Sequence, residues 1–340
     1  MTLYRDTRGL LDRPRTFSET LLEGLAPGGG LFVPERLPRL DPDALVRLAG
    51  LPYHERAATV FAAFGLDLPP QRQRDLLAAA YGPAFDTPAV APLREVAPGR
   101  WLLELWHGPT LAFKDMALQC MPLFFSEALA RAHASGASDL DYLILVATSG
   151  DTGVAALAGF ADRPHVRICV YYPDAGVSAL QELQMVTQPG GNLAVFRLAG
   201  DFDACQSSVK AVFDDAAFAA ELAREHRLAL SSANSINWGR LLPQVAYYVS
   251  ACADLVAAGA LRPGQPLTVC VPTGNFGNIL AAWYARRLGV PVGRLLCASN
   301  ANNVLTQFIN EGVYDVASRR LVKTPSPSMD ILVSSNLERL

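Results

Sequence analysis

Of the 29 lysines and arginines in this 340-residue chain only three are lysine: Lys114, Lys210 and Lys323. Arginine neither forms an imine nor readily loses its proton, so a lysine kept where arginine is otherwise preferred is a candidate for amine chemistry. Lys114 stands in the run His107-Gly108-Pro109-Thr110-Leu111-Ala112-Phe113-Lys114-Asp115, with Met116 next. The apolar neighbours Leu111, Ala112, Phe113 and Met116 are expected to desolvate the amine and favour its neutral, nucleophilic form. That is the form that condenses with an aldehyde cofactor. The same residues are also compatible with an ordinary helix-start lysine paired with a neighbouring acid.

Three further loops carry residue types suited to anions. Thr273-Gly274-Asn275-Phe276-Gly277-Asn278 lies between an apolar strand and an apolar helix, where glycines admit close backbone approach and helix-start amides point at an anion. It lacks the Gly-Lys-Ser/Thr ending of a nucleotide P-loop, and no dinucleotide fingerprint follows an early strand. A phosphate cradle and a plain tight turn both fit it. Thr148-Ser149-Gly150-Asp151-Thr152-Gly153 offers hydroxyls and helix-start amides suited to a carboxylate, or simple capping by Ser149 or Asp151. Asn234-Ser235-Ile236-Asn237-Trp238-Gly239-Arg240 either caps a long helix or presents Asn237 and Arg240 to a ligand.

These loops need a frame. Residues 1–90 read as a mainly helical N-terminal domain, with helices around 41–51, 53–64 and 71–81, the first opened by Asp41 and Pro42. From about residue 91 strands and helices alternate. Strands are expected at 101–105, 142–147, 166–172, 193–198, 227–231, 267–272 and 294–298. Helices are expected at 117–134, from 152, and at 179–187, 204–213, 240–257 and 278–288. The alternation predicts an α/β catalytic domain over 91–340, with open, mostly parallel sheets covered by helices on both faces. Ligands then bind where the loops leave the carboxyl ends of the strands.

Composition narrows the partners. A chain of 340 residues suggests two domains, and 51% hydrophobic with 18% charged residues gives ample core material. The net charge of −3 offers no basic field for nucleic acid. The six cysteines show no paired metal spacing, and Cys169, Cys270 and Cys297 are expected as small core residues of a reducing compartment. No apolar run suits a signal segment or a membrane span, so a cytoplasmic protein without metal or membrane is expected.

Taken in order and spacing, the Gly-Pro-Thr-x-x-Phe-Lys-Asp, Ser-Gly-Asp-Thr-Gly and Gly-Asn-Phe-Gly-Asn runs resemble threonine synthase, in the branch of many bacteria and of fungi. Thr7-Arg8-Gly9, Phe17, Gly24-Leu25-Ala26 and Gly29-Gly30-Leu31-Phe32-Val33-Pro34 are similar to that family's opening, and Ser326-Pro327-Ser328-Met329-Asp330 to a later segment. The resemblance implies a fold-type-II enzyme dependent on pyridoxal 5'-phosphate, with Lys114 forming the Schiff base and later moving protons. It implies that Gly274, Asn275, Phe276, Gly277 and Asn278 surround the cofactor phosphate. Thr148, Ser149, Asp151 and Thr152 would hold the substrate carboxylate or line the ring. An ionised Asp151 would repel that carboxylate, so its side chain is expected to turn away and cap the helix or orient the loop, leaving Ser149 and Thr152 to face the substrate.

The family's substrate is O-phospho-L-homoserine, and its products are L-threonine and phosphate. Arg240 is the candidate cation for the leaving phosphate, with Arg8 a second; a surface arginine is the alternative for each. Family members usually continue past the position of Leu340, so the C-terminal part, with the hydroxyl partner of the pyridine nitrogen, is expected to be absent, the chain being either a fragment or natively short. A phospho-lyase giving 2-oxobutyrate and a truncated, non-catalytic cofactor binder are the alternative functions. A monomer and a dimer are both compatible with the sequence.

Overall fold

The computed structural model describes residues 1–340 apart from 175, 201 and 263 and the side chain of 203. Strands β1 (Tyr4–Asp6) and β2 (Phe32–Pro34) form an antiparallel ribbon, and β3 (Leu93–Ala97) and β4 (Arg100–Leu103) form a hairpin. The main sheet is parallel throughout. It consists of β5 (Asp141–Ala147), β6 (Val166–Pro173), β7 (Leu193–Leu198) and β8 (Leu228–Ser232), in the order β7-β6-β5-β8. A second parallel pair joins β9 (Leu267–Pro272) to β10 (Val292–Ala298).

Alternation along β5 shows how the sheet is covered. Ile144 and Val146 join the large core that also contains Tyr4, Trp238 and Leu305. Leu145 and Ala147 face the other way, onto Cys169, Cys205 and Val209. Successive side chains of a strand point to opposite faces, so both faces of this sheet are buried. The open, mostly parallel sheets expected of fold type II are observed, and the main sheet is covered on both faces. The helix Trp238–Ala257 is central, with 17 of its 20 residues buried. Trp238 touches Tyr4 at 5.5 Å and Tyr284 at 5.3 Å between ring centroids, so residues near the chain's start share a core with the later helices. No helix among the described residues is long and apolar enough to cross a membrane.

Several expected elements shift. The helix expected at 41–51 is the short Ala44–Leu48, because Asp41 Oδ1 accepts from the Asp43 amide at 2.9 Å and makes a turn ahead of it. The helix expected at 117–134 divides into Asp115–Leu118 and Met121–Ser135, with Pro122, which lacks an N–H, at the start of the second. Strand β3 and the helices Ala216–His226 and Val304–Glu311 were not foreseen. Cys270 is exposed rather than a core residue, since β9 pairs only with β10 and its outer face is uncovered among the described residues.

Candidate active site

A cavity of about 370 Å³ opens where β5, β8 and β9 end. Lys114 lines it, 8% exposed, at the start of the helix Asp115–Leu118. The preceding turn is fixed by Asp115, whose carboxylate accepts from the Thr110 amide at 2.8 Å and the Thr110 hydroxyl at 2.7 Å. Gly108 is required there, because a Cβ at that position would lie 2.4 Å from the Asp115 Cβ. Of the neighbours expected to desolvate the lysine, Met116 is buried and the Phe113 ring centroid lies 4.7 Å from Nζ, but Leu111 is 68% exposed. Burial pushes the Lys114 amine below its ordinary range, against the opposing pull of Asp151.

Asp151 is not turned away. Its Oδ2 lies 3.1 Å from Lys114 Nζ and also accepts from Ser328 Oγ, while Oδ1 accepts from Gln181 Nε2. Burial raises its pKa, yet the charge of Lys114 and these hydrogen bonds outweigh burial and hold it below the usual carboxylate range. The capping role expected for Asp151 belongs to no side chain, since Gly150 is the helix N-cap. Thr148 shapes the turn instead, accepting from the Gly150 amide at 2.9 Å and the Gly153 amide at 2.8 Å. With the loop closed from beneath, Asp151 is left to face the amine. Ser149 and Thr152 line the same cavity.

Asn237 does not face the cavity as expected either. It is fully buried and caps the helix Trp238–Ala257 rather than facing the cavity. Both its donors are satisfied, by Leu21 O and Ser232 O at 3.0 Å each, and its oxygen accepts from the Gly239 amide at 2.9 Å. Asn234 and Ser235 reach the cavity wall in its place. Arg240 does line the cavity, 3% exposed, with Nη1 donating to Ala233 O at 2.7 Å. Its buried Nε has no hydrogen-bond partner among the described residues. Burial lowers its pKa to about 10, with Asp115 opposing.

Gly274, Asn275, Gly277 and Asn278 line the wall leading into the helix Gly277–Arg287, which starts without a side-chain cap. Phe276 is buried at φ 65° and, contrary to expectation, does not line the cavity. Residues that nothing in the sequence pointed to hold this loop. Ser334 Oγ donates to Gly274 O at 2.7 Å, and the Asn336 amide donates to Asn275 O at 3.1 Å. Asn336 Oδ1 in turn accepts from the buried Arg339, whose guanidinium also binds Phe32 O at 3.0 Å and Ile236 O. Arg8 lines the cavity but is paired with Glu338, Nε to Oε1 at 2.8 Å. Lys210, Gln181 and Ser328 are further site residues that sequence reasoning did not place. For Lys210 the signal was the scarcity of lysine, and Ser328 lay inside a segment already matched. Among the described residues one group with metal-type atoms, His133, Asp141 and His165, lies outside this cavity and is empty.

An α/β protein with a small-molecule cavity at the ends of parallel strands, built around a buried amine and an open helix start, is the class defined so far. A family model described as the threonine synthase N terminus matches residues 3–81. Threonine synthase of Pseudomonas aeruginosa is 41% identical over 338 residues, covering 99% of this chain and 68% of that protein. Threonine synthase-like 1 of Homo sapiens is 45% identical over 331 residues, covering 95% of this chain and 44% of that protein. The crystal structure of PLP-bound threonine synthase from Brucella melitensis matches with a TM-score of 0.87 and 38% identity, over 100% of this chain and 69% of that one. The chain belongs to the threonine synthase family. It spans less than half the length of threonine synthase-like 1 and about two thirds of the two bacterial proteins.

Proposed function

We propose that this chain carries the activity of a pyridoxal-phosphate-dependent threonine synthase, a carbon–oxygen lyase converting O-phospho-L-homoserine and water to L-threonine and phosphate. The observation that carries this reading is a buried Lys114 sharing one cavity with an uncapped helix start and a buried, under-bonded arginine. Free amides at a helix N-terminus and an unpartnered guanidinium N–H are what an anionic cofactor and substrate would satisfy.

Bound here, pyridoxal phosphate would supply an aldehyde for attachment and a ring that acidifies the α-carbon of an attached amino acid. Lys114 would be the attachment point and then the base, because its desolvated amine favours the neutral form. Asp151 would hold that amine when protonated, 3.1 Å away. Amides of the 274–278 loop would grip the cofactor phosphate. Ser149 and Thr152, with neighbouring amides, would receive the substrate carboxylate, and Arg240 would offset negative charge inside the cavity. In this reading residues 1–90 form the N-terminal unit, supported by the family match over 3–81, and 91–340 the catalytic one. The reading is of a cytoplasmic enzyme, monomeric or dimeric, acting on a small molecule without nucleic-acid or membrane partners.

The likeness to threonine synthase-like 1 favours a second reading, a phospho-lyase yielding 2-oxobutyrate, ammonia and phosphate. Product analysis separates the two. The lysine assignment is tested by loading the full chain with pyridoxal phosphate, reducing with borohydride and mapping the labelled peptide. Label is expected on Lys114 and should vanish, together with turnover, in Lys114→Ala. Label on Lys210 or Lys323 instead would overturn the assignment.

A further inference from the structure

The proposed reaction brings three anionic groups into one cavity: the cofactor phosphate, the substrate carboxylate and the substrate phosphoryl group. The 274–278 and 148–153 loops offer amides and hydroxyls for the first two. A phosphoryl dianion that must also depart calls for a cation that is not already engaged.

Among the described residues four cationic side chains line the cavity: Arg8, Lys114, Lys210 and Arg240. Arg8 is spent on Glu338, which accepts from Nε at 2.8 Å and from Nη2 at 3.0 Å, and on Gly28 O at 2.5 Å. Lys114 is paired with Asp151. Arg240 has an unpartnered Nε but is fixed in the wall, 3% exposed, with Nη1 bonded to Ala233 O. Lys210 differs from all three in that its ammonium has neither an ion pair nor a hydrogen bond among the described residues, and unlike Lys114 and Arg240 it is exposed.

Its direction is set by packing. In the helix Phe202–Asp214, Cys205 and Val209 are buried against Leu145, Ala147 and Cys169 of the main sheet, with Val212 packed beside them. Residues 205, 209 and 212 make one stripe at helical spacing, which turns the neighbouring stripe, Gln206, Lys210 and Phe213, toward the cavity.

We propose that Lys210 receives the phosphoryl group of the substrate and makes the cavity selective for an ω-phosphorylated amino acid over its unphosphorylated parent. This rests on the function proposed above. A flexible ammonium with three donors follows a phosphate as it leaves better than a buried, fixed guanidinium does. Lysine rather than arginine at this position, in a chain with only three lysines, agrees with that use.

The test uses the full chain loaded with pyridoxal phosphate, as wild type, Lys210→Ala and Lys210→Arg. Binding of inorganic phosphate is measured by titration, and KM and kcat are measured with O-phospho-L-homoserine. Lys210→Ala is expected to weaken phosphate binding and raise KM by roughly ten- to a hundredfold, the worth of a hydrogen bond to a charged group. Cofactor content and absorbance should not change, and Lys210→Arg should recover most of the loss. If wild type turns over and Lys210→Ala matches it in phosphate affinity and KM, the assignment of Lys210 falls and the function stands. If the loaded wild type neither binds phosphate nor releases it from the substrate, the function falls and the assignment goes with it.

Discussion

In the 148–153 turn the backbone is held by a residue of the turn itself: the Thr148 hydroxyl takes the amides of Gly150 and Gly153. In the 274–278 turn, carbonyls of the loop are held from some 60 residues away, Gly274 O by Ser334 and Asn275 O by Asn336. The second turn also carries Phe276 at φ 65°, a left-handed conformation that costs a non-glycine residue about 1 kcal/mol or more. Both turns join a parallel strand to a helix and both line the cavity, yet only the first is self-supporting. The comparison teaches that two equally clear motifs can differ in what enforces their geometry. One shape follows from local hydrogen bonding, the other from a distant segment that over-determines a strained loop.

The same substitution in each turn gives the largest contrast. A Cβ at Gly153 would lie 2.6 Å from Thr148 Cγ2, 2.7 Å from Met185 Sδ and 2.9 Å from Val170 Cγ1. Gly153→Val should therefore cost about 3 kcal/mol or more and lower the denaturation midpoint sharply. At Gly277 the nearest atom is Asn336 Nδ2, at 3.3 Å. Gly277→Val should largely keep the fold while weakening pyridoxal-phosphate binding in a titration. Equal denaturation midpoints for the two variants would erase the distinction between the turns.

Asn336→Ala is expected to have an intermediate effect. It removes one hydrogen bond to Asn275 O and strips the buried Arg339 of an acceptor. A loss of about 1–3 kcal/mol is expected, appearing as cofactor affinity lowered by roughly tenfold or more. Unchanged affinity in a folded variant would show that the 274–278 turn keeps its shape unaided.

The smallest effect concerns charge. The Asp151 carboxylate favours the ammonium form of Lys114, so Asp151→Asn removes a group that raises the amine's pKa. Lys114 should then react with an amine reagent at lower pH than in wild type, as followed by mass-mapped labelling across a pH series. A midpoint that stays put or moves upward would mean that Asp151 does not govern the amine.

What could be read from the sequence follows the same division. Strands β5 to β10 are short apolar runs bounded by turn residues, which made their positions legible both where the strand is buried on two faces, as β5 is, and where one face is uncovered, as in β9. Strand β3 was not, because Arg94, Glu95 and Val96 lie exposed in a surface hairpin and break the apolar signal. The chemical loops were legible as residue types. The direction of Asp151 was not, since it depends on Thr148 winning the turn amides. Asn237 looked like a ligand-facing amide because its partner, Leu21 O, lies 216 residues away in the chain. Asn336 and Arg339 gave no signal, because their role exists only once the distant loop is beside them.

The dependence of the 274–278 turn on Ser334, Asn336 and Arg339 also sets an order of events during synthesis. The 148–153 turn closes on Thr148 and its Asp151 finds Gln181 30 residues on, so the backbone of this half of the cavity can form while later strands are still emerging, with Ser328 joining Asp151 afterwards. The other half waits for contacts reaching across as many as 307 residues, from Arg339 back to Phe32. Contacts of such long sequence separation form late. Cofactor capture would then wait for the 334–339 segment, and a nascent chain still short of residue 334 would present a reactive lysine beside a 274–278 loop not yet held in shape.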